Sequence, residues 1–260
     1  MIAERLETID EVFEFAGQFA PTMGTEFASV FRGHADERYG LEPTLSRVIG
    51  RHAKNEQEAV EIESQLVREY RNRSKPLRPQ ESGGTFSADC LDIYHVQSMQ
   101  HYGAPTRLLD WTKSFYVALY FAVSNHPNVA GSVHVANVSN MMTRGTIGKP
   151  LQKPEDFLRY SNDPPFPILY PPNFDFERGI VQQGLFVMPS RLLCDHDKMY
   201  EDALSSTSSP LKKIVIPSNL KQTLLAQLVL MNVTPATLFP GLAGVAKSIH
   251  DLALLSVSQR

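Results

Sequence analysis

MQHYGAPTRLLDWTKSFYVALYFA, residues Met99–Ala122, changes character twice within one short segment. A polar helical run from near Ala88 through Tyr94 to Tyr102 is halted by Gly103, suited to the left-handed position, and by Pro105 just beyond. Thr106 to Trp111 then reads as extended, and Ser114 is placed to cap an apolar helix carrying Phe115, Leu119 and Ala122. Helix, turn, strand and helix in that order specify a mixed α and β domain. The same segment concentrates Gln97, Gln100, His101, Tyr102, Thr106, Arg107, Asp110 and the single tryptophan, Trp111. Charged groups delivered to the edge of a core must be paired or used.

Upstream, Thr8 precedes Ile9, Val12, Phe13, Ala16 and Phe19, one apolar helix face that Pro21 ends. SVFRG from Ser29 reads as a short strand broken by Gly33. Ala59, Ile62, Leu66 and Tyr70 recur at helical spacing between about Asn55 and Arg73, and SKPLRPQESGG follows as a loop. Downstream, GSVHVANV alternates as a half-buried strand. The proline-laden DPPFPILYPPNFDF reads as a lid or wrapped binding loop without regular structure. ERGIVQQGLFVM and LKKIVIP read as further strands. Ser218 is placed to cap a helix containing Leu220, Leu224, Leu225 and Leu228, and Val245 to Leu255 reads as another helix.

A chain of 260 residues, 42% hydrophobic, can close one substantial core without disulfides or metals. Cys90 and Cys194 are too few for a disulfide framework, nothing at the N-terminus reads as a signal segment, and no apolar run reaches membrane-spanning length. The expectation is a cytoplasmic enzyme or binding domain without a membrane partner. A net charge of -3 argues against a broadly basic nucleic-acid surface, and the cluster Arg68, Arg71, Arg73, Lys75, Arg78 reads as a solvated helix end. Phosphate-loop, dinucleotide-fingerprint, zincin and lipase motifs are absent. CDHD at Cys194–Asp197 lacks the second cluster a metal would need, so no metal is expected.

FRGH at Phe31–His34, LEPTLSR at Leu41–Arg47 and the Met99–Ala122 segment resemble the FRG domain, named for its Phe-Arg-Gly signature. RGIVQQGLF from Arg178 and TLFPGLAGVAKSI from Thr237 resemble later, weaker blocks of it. The resemblance implies a single FRG domain over residues 1–260, with core motifs at 29–122 and 176–250 and a helical or loop insertion at about 50–87. It also implies an α+β fold with a small mixed or antiparallel sheet flanked by helices, in a family found in bacterial and phage proteins.

A remoter pattern is similar to mono-ADP-ribosyltransferases: Phe31-Arg32-Gly33 at a strand end, Asp110-Trp111-Thr112 with Ser114, Ala118 and Phe121, then Gln182 and Gln183. That similarity implies an ADP-ribosyltransferase-like enzyme that uses NAD to modify a macromolecule or to deplete the cofactor, as a toxin or phage-defence effector, alone or within a larger defence assembly. The residues expected to do the chemistry are Arg32, His101, Asp110 and Gln183. Arg32, Gly33, Tyr102, Thr106, Arg107, Trp111, Thr112 and Tyr120 are expected to hold NAD. Arg32 would grip pyrophosphate or ribose with its forked donors, an aromatic ring would stack the nicotinamide, and His101 with Asp110 would orient groups or transfer a proton. Glutamine stands where the transferases place glutamate, so Asp110, Asp175 or Glu177 would have to supply the carboxylate.

The same residues have structural readings. Arg32 and Arg107 can form buried ion pairs with Asp110 and a helix-borne acid. Trp111, Tyr116 and Tyr120 can be core aromatics, and His101 can cap a helix end. Gln182 and Gln183, if adjacent on a strand, face opposite ways, and Gln183 is the one assigned to the site. A non-catalytic module that binds nucleotide, nucleic acid or a partner protein through the same cleft is the alternative function.

Overall fold

In the computed structural model, residues 1–20, 29–77, 92–137, 153–170, 177–204 and 210–257 are described. Their elements run β1 (Ile2–Arg5), α1 (Ile9–Gly17), β2 (Ser29–His34), α2 (Thr44–Ile49), α3 (Glu56–Ser74), α4 (Asp92–His101), β3 (Leu109–Thr112), α5 (Phe115–Val123) and β4 (Gly131–Asn137). There follow β5 (Pro167–Tyr170), α6 (Glu177–Val181), β6 (Gly184–Pro189), α7 (His196–Leu204), β7 (Lys212–Ile216), α8 (Ser218–Leu230), α9 (Pro235–Leu238) and α10 (Leu242–Val257). Short 3-10 turns occupy Lys75–Leu77 and Pro154–Tyr160. None of these helices is long and apolar enough to cross a membrane.

The strands form one open mixed sheet in the order β1-β7-β4-β2-β3-β6-β5, so the fold is α+β. Only the β1–β7 pair is parallel. Alternation along the strands gives each face its own core. On one face Phe31, Val133, Val135, Ile214 and Ile216 pack with α1, α5 and α8. On the other, Val30, Leu109, Trp111 and Val187 pack with Leu41 and with Met199, Tyr200 and Leu204 of α7. A third cluster joins Met188 of β6 to Val67 of α3 and to Ile93, Val96 and Met99 of α4.

Caps and close approaches fix the local geometry. Thr8 and Asn55 accept the backbone N–H of Glu11 and Glu58 and so start α1 and α3, and Ser114 accepts that of Val117 to start α5. Gly33 is where α5 lies directly on β2, since a Cβ there would sit 1.8 Å from the Ala118 carbonyl oxygen.

Several expectations need correcting. Gly33 does not break its strand, because it pairs with Val133 and β2 continues to His34. The proline-laden segment contributes an edge strand, β5, whose Pro167 stands at the strand start where a missing N–H costs no ladder bond; residues 171–176 of that segment lie outside the described residues. ERGIVQQ is not strand: Glu177–Val181 is helical, and Gln182 and Gln183 form the turn into β6. Ser218 begins α8 without capping it, Pro217 holding the N-cap position. The edge strand β1, exposed along its length, was missed because its sequence carries no alternation to read. Cys90 and Arg78 lie outside the described residues, as does the start of the helix at Ala88.

Candidate functional site

The site lies over β3, on the sheet face where helices leave a gap. Asp110 pairs directly with Phe186 of β6, and Thr112 with Phe31 of β2, so Asp110 and Thr112 project to the face covered by α5 on one side and α4 on the other. Between those helices two adjoining hollows share Asp110, Trp111, Arg178 and Gln182 as walls. One is completed by Gln97, Gln100 and His101 of α4. The other is completed by Arg32, Gly33, Thr112 and the apolar Val117 and Phe121 of α5.

Arg32 reaches this groove because β2 and β3 are bridged at one pair only, Phe31 with Thr112. Beyond it the strands part, and the Arg32 Nη1 donates to the Asp110 carbonyl in place of a ladder N–H. Its Nε donates to the His34 Nε2 at 2.9 Å, while the His34 Nδ1 lies 3.2 Å from the Tyr39 carbonyl oxygen. A carbonyl can only accept, so His34 carries its proton on Nδ1 and is neutral. Burial, reinforced by the cations of Arg32 and Lys213 and by His134, holds the His34 pKa well below the ordinary range. Arg32 is itself desolvated, which lowers its pKa against the opposing pull of Asp110.

Asp110 is the one acid among the described residues that line the groove. Gln100 Nε2 donates to its Oδ2 at 2.6 Å, and Thr106 Oγ1 donates to Gln100 Oε1 while accepting the Leu108 N–H at 3.1 Å. This relay fixes one carboxylate oxygen from behind. His101, partly buried beside it, has a pKa lowered by desolvation and by Arg178, against Asp110, so its neutral form is favoured. Arg178 rises from α6 and is held over the Phe239 ring at 4.8 Å. Gln182 Nε2 donates to the Leu238 carbonyl at 2.9 Å, and its own carbonyl accepts from Thr112 Oγ1 at 2.6 Å.

Of the expected site residues, Arg32, Gly33, His101, Asp110, Trp111 and Thr112 border the groove. Arg107 does not. It is 1% exposed, bidentate to Glu63 of α3, and stacked 3.6 Å over Phe157, which is the latch with a helix-borne acid rather than a ligand contact. Gln183 is exposed at a positive φ of 48° and lends its carbonyl to Lys113, whereas Gln182 lines both hollows. The reason is the helix that replaces the expected strand and rotates the pair. Tyr120 is buried with its hydroxyl 3.0 Å from Asp251, and Tyr102 is 72% exposed outside the groove. Thr106 is buried behind Gln100. The Trp111 ring belongs to the opposite core, 6.0 Å from Tyr200, and is not placed to stack on a ligand in the groove. Glu177 is exposed and lines neither hollow, and Asp175 lies outside the described residues.

His34, Gln100 and Arg178 were not assigned in advance. His34 had a readable signal, because a residue two places after Arg32 on a strand shares its face. Arg178 had none while its segment read as strand.

An open mixed sheet carrying a polar groove where two strands part defines an α+β domain with a candidate site. Residues 28–130 match the family model of the FRG domain, and that span takes in Arg32, Gln100, His101 and Asp110. Arg178 and Gln182 come from outside the matched span. Comparison with curated proteins and with solved structures found no match.

Proposed function

We propose that the groove over β3 is a nucleotide site of ADP-ribosyltransferase type, in which NAD is the substrate and the nicotinamide–ribose bond is cleaved. The observation that carries this reading is that Arg32, whose guanidinium bonds the Asp110 main-chain carbonyl, and Asp110 line one of two adjoining hollows, while Asp110 and the neutral-leaning His101 line the other. The Phe-Arg-Gly strand, the Asp-Trp-Thr strand and the strand after Gln-Gln lie side by side, as β2, β3 and β6. Two hollows suit a ligand of two linked halves, and Arg32 with Arg178 supplies the cations that a pyrophosphate between them needs.

In this scheme the glycosidic electron pair leaves with nicotinamide and neutralises its pyridinium ring. Positive charge developing on the ribose is stabilised by Asp110, in place of a late-strand glutamate. A hydroxyl of water or of a macromolecular acceptor adds to that carbon, and His101 accepts its proton. Gln100 keeps the Asp110 carboxylate oriented throughout.

The test follows nicotinamide release by chromatography and ADP-ribose binding by calorimetry. Asp110→Asn should lower release by about 10²-fold or more while ADP-ribose still binds. Arg32→Lys should weaken binding, because a single ammonium cannot serve both His34 and the Asp110 carbonyl. Absence of both turnover and binding would sink the proposal. A second reading, a recognition module without turnover, is favoured by one feature: Gln182 is committed to the Leu238 carbonyl and brings no charge. It forecasts ADP-ribose binding with no nicotinamide released.

A further inference from the structure

Arg32 of β2 pairs with His134 of β4, which pairs in turn with Lys213 of β7, so three basic side chains start in one row on the sheet face turned to α7. Ser132 stands beside that row, two residues before His134 on the same strand and face. Tyr200 of α7 covers it, packed in one cluster with Val30 and Ala136, the pair next along β2 and β4. Ser132, His134 and Tyr200 are each 0% exposed. Even so, both His134 ring nitrogens, the Ser132 Oγ and the Tyr200 hydroxyl have no well-formed hydrogen bond among the described residues. Buried polar groups are costly to leave in that state, so a cluster of them points to something that binds there.

Charge decides what that is. Burial, then Lys213 and Arg32, lowers the His134 pKa, and no acid raises it. His34, its ring centroid 5.1 Å from that of His134, accepts from the Arg32 Nε and is neutral, so it offsets neither cation. Arg32 and Lys213 are held by main-chain carbonyls, those of Asp110 and Glu37, which leave both charges intact. Burial raises the Tyr200 pKa against the pull of Arg32 and of the Trp111 N–H, so the hydroxyl keeps its proton and can donate it.

We propose that this row binds a single halide ion, chloride or bromide, seated beside His134 between the Arg32 and Lys213 charges and accepting hydrogen bonds from the imidazole, the Ser132 hydroxyl and the Tyr200 hydroxyl. Water would satisfy the donors but would not offset two cations, whereas an anion does both. A spherical ion suits donors that arrive from a strand and a helix, and the complete burial of those donors excludes a group the size of phosphate. The site lies on the opposite face of the sheet from Asp110 and Thr112 and is therefore separate from the groove, with Arg32 shared between them.

Thermal unfolding at constant ionic strength, with sodium gluconate exchanged for sodium chloride or bromide, tests this. The melting temperature should rise by about 5–10 °C at one hundred times the dissociation constant, because the ion binds only the folded chain. Ser132→Ala and Tyr200→Phe each remove one hydroxyl. Either should raise the half-saturating chloride concentration about tenfold, while melting in gluconate stays at or above the native value because an unpartnered buried group has gone. In crystals grown with bromide, an anomalous scattering peak should lie against the His134 ring. A melting temperature indifferent to halide at fixed ionic strength, a halide response unchanged in both variants, or bromide found only elsewhere would each overturn the proposal.

Discussion

Removing the acid from the buried pair between α3 and Arg107, just ahead of β3, should destabilise the protein without touching ligand binding. Glu63 and Arg107 are 2% and 1% exposed, with Arg107 donating through Nε and Nη2 to the carboxylate and through Nη1 to the Pro189 carbonyl at 3.3 Å. In Glu63→Leu the guanidinium keeps the Phe157 ring and one carbonyl but loses its counter-charge, and a buried charge left alone costs about 3–5 kcal/mol. For a chain of this size, where about 1 kcal/mol moves Tm by 2–4 °C, the loss should be roughly 6–20 °C in thermal unfolding followed by circular dichroism. Replacing both partners, Glu63→Leu with Arg107→Met, should recover most of it, because two apolar chains of similar volume remove the desolvation cost together with the attraction. ADP-ribose affinity of that double variant should equal the native value, since the pair lies behind α4 and not in the groove. If the single variant is as stable as the native chain, or if the folded double variant loses ligand binding, Arg107 is not the latch described above.

Gly33→Ala should be strongly destabilising, with a loss of at least about 1–3 kcal/mol in urea unfolding, because its methyl group meets the Ala118 carbonyl and α5 must lift off β2. Stability should fall in acid on account of His34 and His134. Burial keeps both neutral, with the His134 pKa lowered to about 3, so their contribution is complete above the ordinary histidine value of about 6.5 and is lost as pH drops toward the folded-state values. Each contributes a slope of up to about 1.4 kcal/mol per pH unit below pH 6.5, and His134→Gln should flatten the curve of urea midpoint against pH. Gln183→Gly should stabilise the chain by about 0.5–1 kcal/mol by relieving a left-handed residue, with ligand binding intact. Gln182→Ala should instead weaken binding, and the reverse pattern in calorimetry would restore Gln183 to the site.

Elements with strong local signals were readable in the chain. The spacing of Ala59, Ile62, Leu66 and Tyr70 anticipated α3, and Ser114 anticipated the start of α5. GSVHVANV and LKKIVIP, read as strands, are β4 and β7, although β4 is buried on both faces rather than half-buried. Segments whose pattern is short or mixed misled. ERGIVQQ has β-branched residues and glycine but too few positions to separate a helical turn from a strand, and the error carried Gln183 into the site in place of Gln182.

Local patterning therefore determined which residues are chemically unusual and that a mixed α and β fold holds them, while the grouping of Phe31-Arg32-Gly33 with Asp110-Trp111-Thr112 came from family resemblance. Only the folded chain decided which of those groups share a groove. Arg32 and Asp110 meet because β2 and β3 part after a single bridge, whereas Arg107, three residues from Asp110, leads away to Glu63, forty-four positions earlier. Side-chain period limits what a neighbour in sequence can face, but the partner that neutralises a buried charge is chosen by packing between distant elements, which no local pattern records.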